Sequence, residues 1–160
     1  EGKLPVMLPA TAKDVISPQD ADVNYDEGLF TSYRSTLLKA AFPFGHGLSF
    51  TSFDYGPAEA YDCESAACVR LAVTNSGHRA GAEIAQAYLH FAPEAGEPEL
   101  VLRGFKKTRL LQPGESESLS FAFTARDLSI YKVSAGWVPQ TGVEVRIGAS
   151  SADIRRAVQL

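Results

Sequence analysis

The chain has 160 residues, which suits one domain of ordinary size and is short for two. Hydrophobic residues make up 45% and charged residues 21%, a composition typical of soluble globular proteins that excludes a fibrous or disordered chain. The formal net charge of -4 and the scattered Lys and Arg residues argue against a nucleic-acid partner, and no apolar run approaches the roughly 20 residues of a membrane span.

Residues 1–41 carry no sustained hydrophobic period. The stretch KLPVMLP is extended and bounded by prolines, TAKDVISPQDADVN is polar, and YDEGLFTSYRSTLLKAAF mixes aromatic and charged residues. The first 20 residues lack the basic start and apolar centre of a signal peptide. We therefore expect residues 1–41 to form an extended arm that packs on other polypeptide, as the end of a larger unit would.

From Phe50 onward the dominant period is two, as in a half-buried β-strand. Three segments show this period clearly: CVRLAVTN at 68–75, SLSFAFT at 118–124 and GVEVRIG at 142–148. Their inward-facing residues are predicted to be Val69, Leu71, Val73, Leu119, Phe121, Phe123, Val143, Val145 and Ile147. Less regular segments at 82–91, 100–111 and 129–137 are also predicted to be strands.

Turn-forming residues separate these segments at 75–81, 93–98, 112–116 and 139–142. About seven short strands divided by turns are typical of an antiparallel β-sandwich of the immunoglobulin type. No helical pattern of comparable strength interrupts them. The sequence therefore predicts an all-β fold preceded by the arm.

Cys63 and Cys68 are the only cysteines, and four residues separate them. A disulfide needs Cα atoms within ~7 Å, whereas a straight strand of five residues spans ~16 Å. A bridge therefore requires a turn at residues 64–67, and it would indicate an oxidising compartment. Two free thiols are the alternative, and the spacing leaves both open.

Catalytic groups are hard to find in this chain. A glycosidase, as one class of enzyme, needs two carboxyl groups on opposite sides of the bond that it breaks, and an apolar environment raises the pKa of the one that acts as the acid. The candidate acids are Asp26, Glu27, Asp62, Glu64, Glu94, Glu97 and Glu99, and none has an apolar sequence context. The histidines, His46, His78 and His90, fall in a corner, a turn and a strand without a nucleophile motif. We predict no catalytic, cofactor-binding or metal-binding residue.

Four aromatic residues are candidates for a sugar-stacking surface: Tyr55, Tyr61, Tyr131 and Trp137. For Trp137 the sequence favours a core or interface position, because it lies between a glycine and an apolar valine near the end of a strand pattern. The stacking surface is the alternative.

Six segments, in this order and spacing, resemble one known family. They are GKLPVMLP, YDEGLFTSYR, FPFGHGLSFTSFDY, VTNSGHRAGAEIAQAYLHF, ELVLRGFKKTRLLQPGES and VEVRIGASSADIR. Together they resemble the carboxyl-terminal third of glycoside hydrolase family 3 β-glucosidases, and the resemblance covers nearly the whole chain.

The resemblance implies a fibronectin type III-like sandwich at residues 42–160, preceded at 1–41 by the end of an α/β sandwich domain and a linker. In that family the aspartate nucleophile and the acid/base carboxylate lie in two upstream domains, which would be the partners of this chain. The chain would then be a non-catalytic domain, inactive alone and without a cofactor. Its parent would be a secreted or periplasmic enzyme that removes terminal β-D-glucosyl units from β-glucosides or oligosaccharides with retention.

The resemblance also assigns a structural domain junction to two motifs. YDEGLFTSYR matches the family pattern Y-x-E-G-I-x-x-G-Y-R at Tyr25, Glu27, Gly28, Tyr33 and Arg34, and departs from it where Ser32 replaces a glycine. FPFGHGLSF matches the entry to the fibronectin-like domain, with Phe44, Gly45, His46 and Gly47 in its corner. Gly45 and Gly47 suit a sharp corner because glycine tolerates positive φ, and Phe42, Phe44 and Phe50 would bury against neighbouring domains.

We expect the side chain of His46 to pack and form hydrogen bonds rather than to catalyse. Glu27 and Arg34 are expected to form charge-assisted bonds at the junction, with two solvated charges as the alternative. Two other functions stay open at this point. One is a free-standing carbohydrate- or protein-binding β-sandwich module, and the other is an oligomerisation module.

Overall fold

A computed structural model describes residues 2–15 and 24–160. Residues 16–23, in the second half of the predicted polar stretch at 11–24, lie outside the described residues. The described strands are β1 (Leu8–Pro9), β2 (Ala40–Phe42), β3 (Phe53–Tyr55), β4 (Glu59–Tyr61), β5 (Ala67–Asn75), β6 (Ile84–His90), β7 (Val101–Lys107), β8 (Ser116–Phe123), β9 (Ser129–Lys132), β10 (Gly136–Pro139), β11 (Glu144–Ser150) and β12 (Asp153–Gln159). Short 3-10 helices span Ala12–Asp14, Ser32–Arg34 and Pro93–Ala95.

One sheet contains four antiparallel strands in the order β12, β11, β6, β7. The register places Val145 of β11 opposite Leu89 of β6 and opposite Val158 of β12. The predicted strands at 82–91, 100–111 and 142–148 form three of its members. The fourth member, β12, has no counterpart among the predicted strands.

The second sheet is built around β5. Strand β8 pairs along one edge of β5, and β3 and β4 follow one another along the other edge. Pro57 lies between β3 and β4, and proline interrupts pairing because it has no N–H to donate. Counting β3 and β4 as one interrupted edge strand, the two sheets contain seven strands. The predicted seven-stranded antiparallel sandwich is confirmed.

The apolar faces of the two sheets form one core. Every residue that alternation predicted to face inward is buried in β5, β8 and β11 or, for Val143, directly before β11. Arg70, Ala72, Ser118 and Ser120 on the opposite faces are exposed. Phe53, Tyr55, Leu111 and Ile130 complete the core from the connecting segments and neighbouring strands. Burial of one face dictates apolar residues at every second position, which explains why these strands were predictable.

Strand β6 is buried on both faces. Ala85, Ala87 and Leu89 belong to the core between the sheets, whereas Gln86 and Tyr88 point the other way and are equally buried. A strand covered on both sides has no polar face, so its sequence does not alternate cleanly. This explains the irregular pattern of residues 82–91.

The prediction of one strand at residues 129–137 is wrong. The segment folds into a hairpin in which β9 and β10 pair with each other, with the turn at residues 133–135. Ala135 donates its N–H to the carbonyl of Lys132 and Gly136 has a φ of 72°, so the small residues of this segment form the turn. In the described ranges, no helix is both long and apolar enough to cross a membrane.

Candidate functional site

The outer face of β6 is covered by the arm and by the corner that contains Gly45. Strand β1 pairs antiparallel with β2, and the pairing continues toward the corner. The N–H of Leu4 donates to the carbonyl of His46 over 2.8 Å, and the N–H of Gly45 donates to the carbonyl of Leu4 over 2.8 Å. Residues 2–9 of the arm and residues 40–46 therefore form one two-stranded ribbon against the sandwich.

Gln86 fastens the corner to the sheet. Its amide nitrogen donates to the carbonyl of Gly45 over 3.0 Å and to the carbonyl of Ala149 over 2.7 Å. Its amide oxygen accepts a hydrogen bond of 2.6 Å from the hydroxyl of Tyr88. These three bonds are buried, and a buried amide without partners would destabilise the fold.

Gly45 approaches Gln86 too closely for any other residue. Its φ is 77°, and a Cβ built at this position would overlap the side-chain amide of Gln86. Gly47 differs from the prediction, because its φ is not positive. A Cβ on Gly47 would lie 2.7 Å from the carbonyl oxygen of Gly2, so this glycine provides space for the arm.

Three aromatic rings cover the corner. Tyr33 stacks on Phe44 with ring centroids 4.5 Å apart and meets Tyr88 edge to face at 6.0 Å. The hydroxyl of Tyr33 accepts a hydrogen bond of 3.1 Å from the N–H of Leu102 in β7. Burial raises the pKa of the Tyr88 phenol well above its usual range, as expected for a hydroxyl enclosed by these rings.

An ion pair joins the arm to the sandwich. The amino group of Lys3 lies 2.9 Å from the carboxylate of Glu83, and the side chains are only 13% and 6% exposed. Lys3 also donates to the carbonyl of Ala149 over 3.2 Å. A charge this far from water needs its partner, because removing either one leaves the other desolvated and unpaired.

His46 lies in the corner beside Phe42, with the two rings 5.3 Å apart. Its backbone carbonyl accepts the hydrogen bond from Leu4, and its backbone N–H donates to the carbonyl of Pro43. The ring of His46 packs on Phe42, whereas both of these hydrogen bonds come from its backbone, so a hydrogen bond from the His46 side chain stays a prediction.

The structure does not bring every predicted junction residue into this cluster. Tyr25 is exposed, Gly28 takes a φ of 54° in a turn, and neither Glu27 nor Arg34 forms an ion pair within the described ranges. The Arg34 guanidinium lies beside the Tyr33 ring, 5.7 Å from its centroid. Charge-assisted bonds of Glu27 and Arg34 stay a prediction about contacts with other polypeptide.

Sequence reasoning missed Lys3, Glu83, Gln86 and Tyr88. One signal was available, because Gln86 is a polar residue within the otherwise apolar run at 84–89. A polar residue in such a run needs a buried hydrogen-bond partner. Nothing in the sequence indicates that this partner lies in the corner 41 residues earlier.

An apolar patch lies beside the corner. Leu48, Phe50 and Leu110 line one shallow depression together with Ala80 and Lys107, and the Phe50 side chain is 90% exposed. A groove of about 260 Å³ lies nearby between the arm and β7, where Phe44 and Phe105 are among its apolar lining residues. Exposed apolar surface of this kind is typical of an interface.

A disulfide links Cys63 and Cys68. Tyr61 pairs with Cys68 across β4 and β5, and bends at residues 64–66 bring the two cysteine Cα atoms to 6.1 Å. This is the turn that a bridge across four residues requires.

Five of the candidate acids lie in two loops. Asp62 and Glu64 lie between β4 and β5, while Glu94, Glu97 and Glu99 lie between β6 and β7, where Glu99 pairs with Arg146 at 3.0 Å. Within residues 2–15 and 24–160, no three His, Cys, Asp or Glu side chains come close enough to hold a metal ion.

The aromatic candidates also separate. Tyr55 is buried in the core beneath Arg155, and the Tyr61 ring lies against the guanidinium of Arg70. Trp137 is 45% exposed, so the core position that was one half of the prediction is wrong, while the interface position stays a prediction. It lies on β10, which pairs only with β9 among the described strands and belongs to neither large sheet.

Comparison with known proteins places this geometry in context. The fibronectin type III-like domain family matches residues 83–151. The β-glucosidase cel3A of Pyricularia oryzae is 38% identical over 182 residues, covering 96% of this chain and 25% of that protein. A β-glucosidase of Rhizobium radiobacter is 34% identical over 178 residues, covering 99% of this chain and 22% of that protein.

Solved structures agree with the sequence comparison. The β-glucosidase D2-BGL from Chaetomella raphigera superposes with a TM-score of 0.91 at 36% identity, covering 99% of this chain and 26% of that one. β-Glucosidase 3B from Thermotoga neapolitana, in complex with glucose, superposes with a TM-score of 0.88 at 34% identity. The superposition covers 100% of this chain and 24% of that one. The chain thus spans about a quarter of the length of these relatives. Residues 83–151 thus match the fibronectin type III-like domain family, and the chain as a whole is similar to the carboxyl-terminal part of glycoside hydrolase family 3 β-glucosidases.

Proposed function

We propose that this chain is the non-catalytic fibronectin type III-like domain of a secreted or periplasmic β-glucosidase, in which it braces the catalytic domains. The observation that carries the proposal is the alignment of almost the whole chain with only a quarter of each β-glucosidase. The remaining three quarters of such a protein leave room for the two catalytic domains that the family resemblance implies.

The surface of the chain supports a bracing role. The apolar patch of Leu48, Phe50 and Leu110 adjoins the corner where the arm meets the sandwich. Burial of these side chains against a neighbouring domain would stabilise the contact between the two domains. The gain is about 25 cal/mol for each Å² of apolar surface removed from water. The boundary between an α/β sandwich edge at 1–41 and the fibronectin-like domain at 42–160 remains part of this proposal.

The proposed reaction is the hydrolysis of terminal β-D-glucosyl units with retention. Several relatives are named β-glucosidases, and the Thermotoga neapolitana enzyme was solved with glucose bound. The disulfide between Cys63 and Cys68 supports secretion or export to the periplasm, because such bonds persist in oxidising compartments.

A domain exchange tests the proposal. The corresponding segment of the Rhizobium radiobacter β-glucosidase would be replaced by this chain, and hydrolysis of an aryl β-glucoside would be measured for the hybrid, for the enzyme lacking the segment and for this chain alone. We expect the hybrid to be active, the truncated enzyme to lose activity and stability, and this chain to be inactive. Hydrolysis by this chain alone would contradict a non-catalytic role, and full activity of the truncated enzyme would contradict bracing.

A further inference from the structure

Tyr131 and Trp137 form an exposed aromatic pair on the hairpin of β9 and β10. The two residues are opposite each other in the antiparallel register, so their side chains share one face. Their ring centroids lie 5.4 Å apart with the planes at 60°. The side chains are 60% and 45% exposed, which leaves much of both rings in solvent.

The indole ring of Trp137 is held in place from the sandwich. The guanidinium carbon of Arg126 lies 3.4 Å from the indole centroid, which is close cation–π stacking. Arg126 belongs to a turn fixed by reciprocal hydrogen bonds, since Thr124 donates twice to the carboxylate of Asp127 and accepts from the Asp127 N–H. The ring is therefore positioned before any ligand arrives.

The pair is too small for a stable protein interface. An aromatic side chain buries about 150–250 Å² when fully covered, whereas stable protein partners each bury roughly 800 Å². Arg126 places positive charge beside the pair, and Val133 is the one large apolar side chain in the turn of the hairpin. Two partly exposed rings match the size of one or two sugar rings.

We propose that Tyr131 and Trp137 form a binding surface for β-linked gluco-oligosaccharides. In β-glucopyranose every substituent is equatorial, so both faces of the sugar present axial C–H groups that pack on aromatic rings. Arg126 carries N–H donors at the edge of the surface for the equatorial hydroxyls. The choice of a β-glucosyl ligand rests on the proposed function, whereas the aromatic surface does not.

The test uses the single tryptophan as its reporter. Trp137 is the only tryptophan of the chain, so its emission reports on this surface alone. The 160-residue protein would be titrated with cellohexaose, and with maltohexaose as the α-linked control. We expect saturable quenching or a shift of the emission by cellohexaose, with a Kd on the order of 1 mM, and at least about tenfold weaker binding of maltohexaose. Equal responses to both sugars would overturn the assignment to β-linked glucans.

Variants locate the binding. Tyr131→Ala should weaken cellohexaose binding by about tenfold or more, as expected for the loss of one stacking platform. Tyr131→Phe keeps the ring and should bind within about twofold of the original, which covers the case in which the alanine variant does not fold. Tyr61→Ala, on a different sheet, should also leave the Kd unchanged. No saturable response in the original protein, or equal loss of binding in the Tyr61 variant, would overturn the proposal. The titration measures binding and requires no hydrolysis. Its outcome is therefore independent of the outcome of the domain exchange.

Discussion

Gly45 has to be glycine for two separate reasons. Its φ of 77° lies where side chains are strained, and a Cβ would also overlap the amide of Gln86. Gly114 has a similar φ of 81°, but a Cβ added there would meet nothing within 4 Å. A substitution at Gly114 therefore measures the backbone strain without the steric overlap.

We predict that Gly45→Ala destabilises the chain more than Gly114→Ala does. The Gly114 variant should lose about 1–2 kcal/mol from backbone strain alone. The Gly45 variant should lose at least about 1 kcal/mol more, because the Gln86 amide must give up buried hydrogen bonds to make room. Urea unfolding of both variants measures the difference. Equal losses would show that the contact with Gln86 has no energetic weight.

Ser32 is the only residue other than glycine with positive φ in the described ranges, at 53°. It occupies the position where the family pattern has glycine. We predict that Ser32→Gly stabilises the arm by about 0.5–1 kcal/mol, because relief of the left-handed strain exceeds the added entropy of the unfolded glycine. Ser32→Ala keeps the strain and should give no gain. Thermal unfolding compares the two, and a gain in the alanine variant would contradict the strain argument.

The junction was predictable in part at this scale. Gly45 and Phe44 belong to a motif that the sequence alone identifies, because a glycine pair between aromatic residues indicates a corner. Lys3 and Glu83 were not predictable, since each is an ordinary charged residue until the fold brings them to 2.9 Å. Pairing between segments so far apart in the chain leaves no local signal in either one.

At the scale of elements, the edge strand β12 escaped prediction. Arg155 and Arg156 interrupt its apolar pattern, yet both side chains fasten one sheet to the other. Arg155 donates to the carbonyl of Phe53 over 2.6 Å, and Arg156 donates to the carbonyl of Gly56 over 2.9 Å. Long polar side chains at a sandwich edge thus connect the two sheets. A search for apolar residues at every second position does not detect such a strand.

Asp153 orients Arg155 for this contact. The Arg155 guanidinium donates hydrogen bonds to the Asp153 carboxylate, the shortest of 2.7 Å, and holds the pKa of that carboxyl below its usual range. We predict that Arg155→Gln raises the pKa of Asp153 toward the ordinary value of about 3.9. Titration of the side-chain carboxyl carbons by NMR measures this.

The pKa of Asp14, lowered chiefly by the Thr11 hydroxyl, should not respond to the Arg155 change and serves as the control. The sign of the linked stability follows from the lowered pKa. The contribution of the Asp153 carboxylate is complete above the pKa of an unfolded aspartate and is lost as the pH falls through the lower folded value. An unchanged Asp153 titration in the variant would contradict the pairing.

The disulfide stabilises the hairpin of β4 and β5. Closing so small a ring restricts the unfolded chain by about 2 kcal/mol in the chain-entropy model. We predict that a reducing agent lowers the free energy of unfolding by about this amount. Cys63→Ala with Cys68→Ala should match the reduced protein and show no further response to reductant, as measured by urea unfolding. A reductant effect in that double variant would assign the change to another cause.

At the scale of the whole molecule, the apolar patch distinguishes the chain alone from the chain within an enzyme. We predict that Phe50→Ser changes the stability of the isolated chain by less than about 0.5 kcal/mol, because the side chain is 90% exposed. In the hybrid β-glucosidase described above, the same change should lower the Tm, because Phe50 would face a catalytic domain.

Val133→Ser is the matched control, since Val133 is 95% exposed in the turn between β9 and β10, away from the patch. Differential scanning calorimetry of both variants in both proteins completes the comparison. If the two variants behave alike in the hybrid, the patch does not contact a catalytic domain.

The sandwich itself was predictable because one buried face per strand sets a period of two. What periodicity could not supply was the division of residues 129–137 into a hairpin, because the aromatic residues of this segment fit a single extended pattern. Nor could it supply the second covering of β6, which depends on the path of the arm.

That second covering sets the limits of the module as a transferable piece. A protein engineer who cuts at Phe42 would keep all seven strands of the sandwich but would strip Lys3, Leu4 and Tyr33 from it. Glu83 would lose the positive charge of Lys3, and the ring of Tyr88 would lose its contact with Tyr33. Transfer of this sandwich to another protein therefore requires the ribbon that precedes it. The segment to transfer is longer than the fibronectin type III-like domain alone.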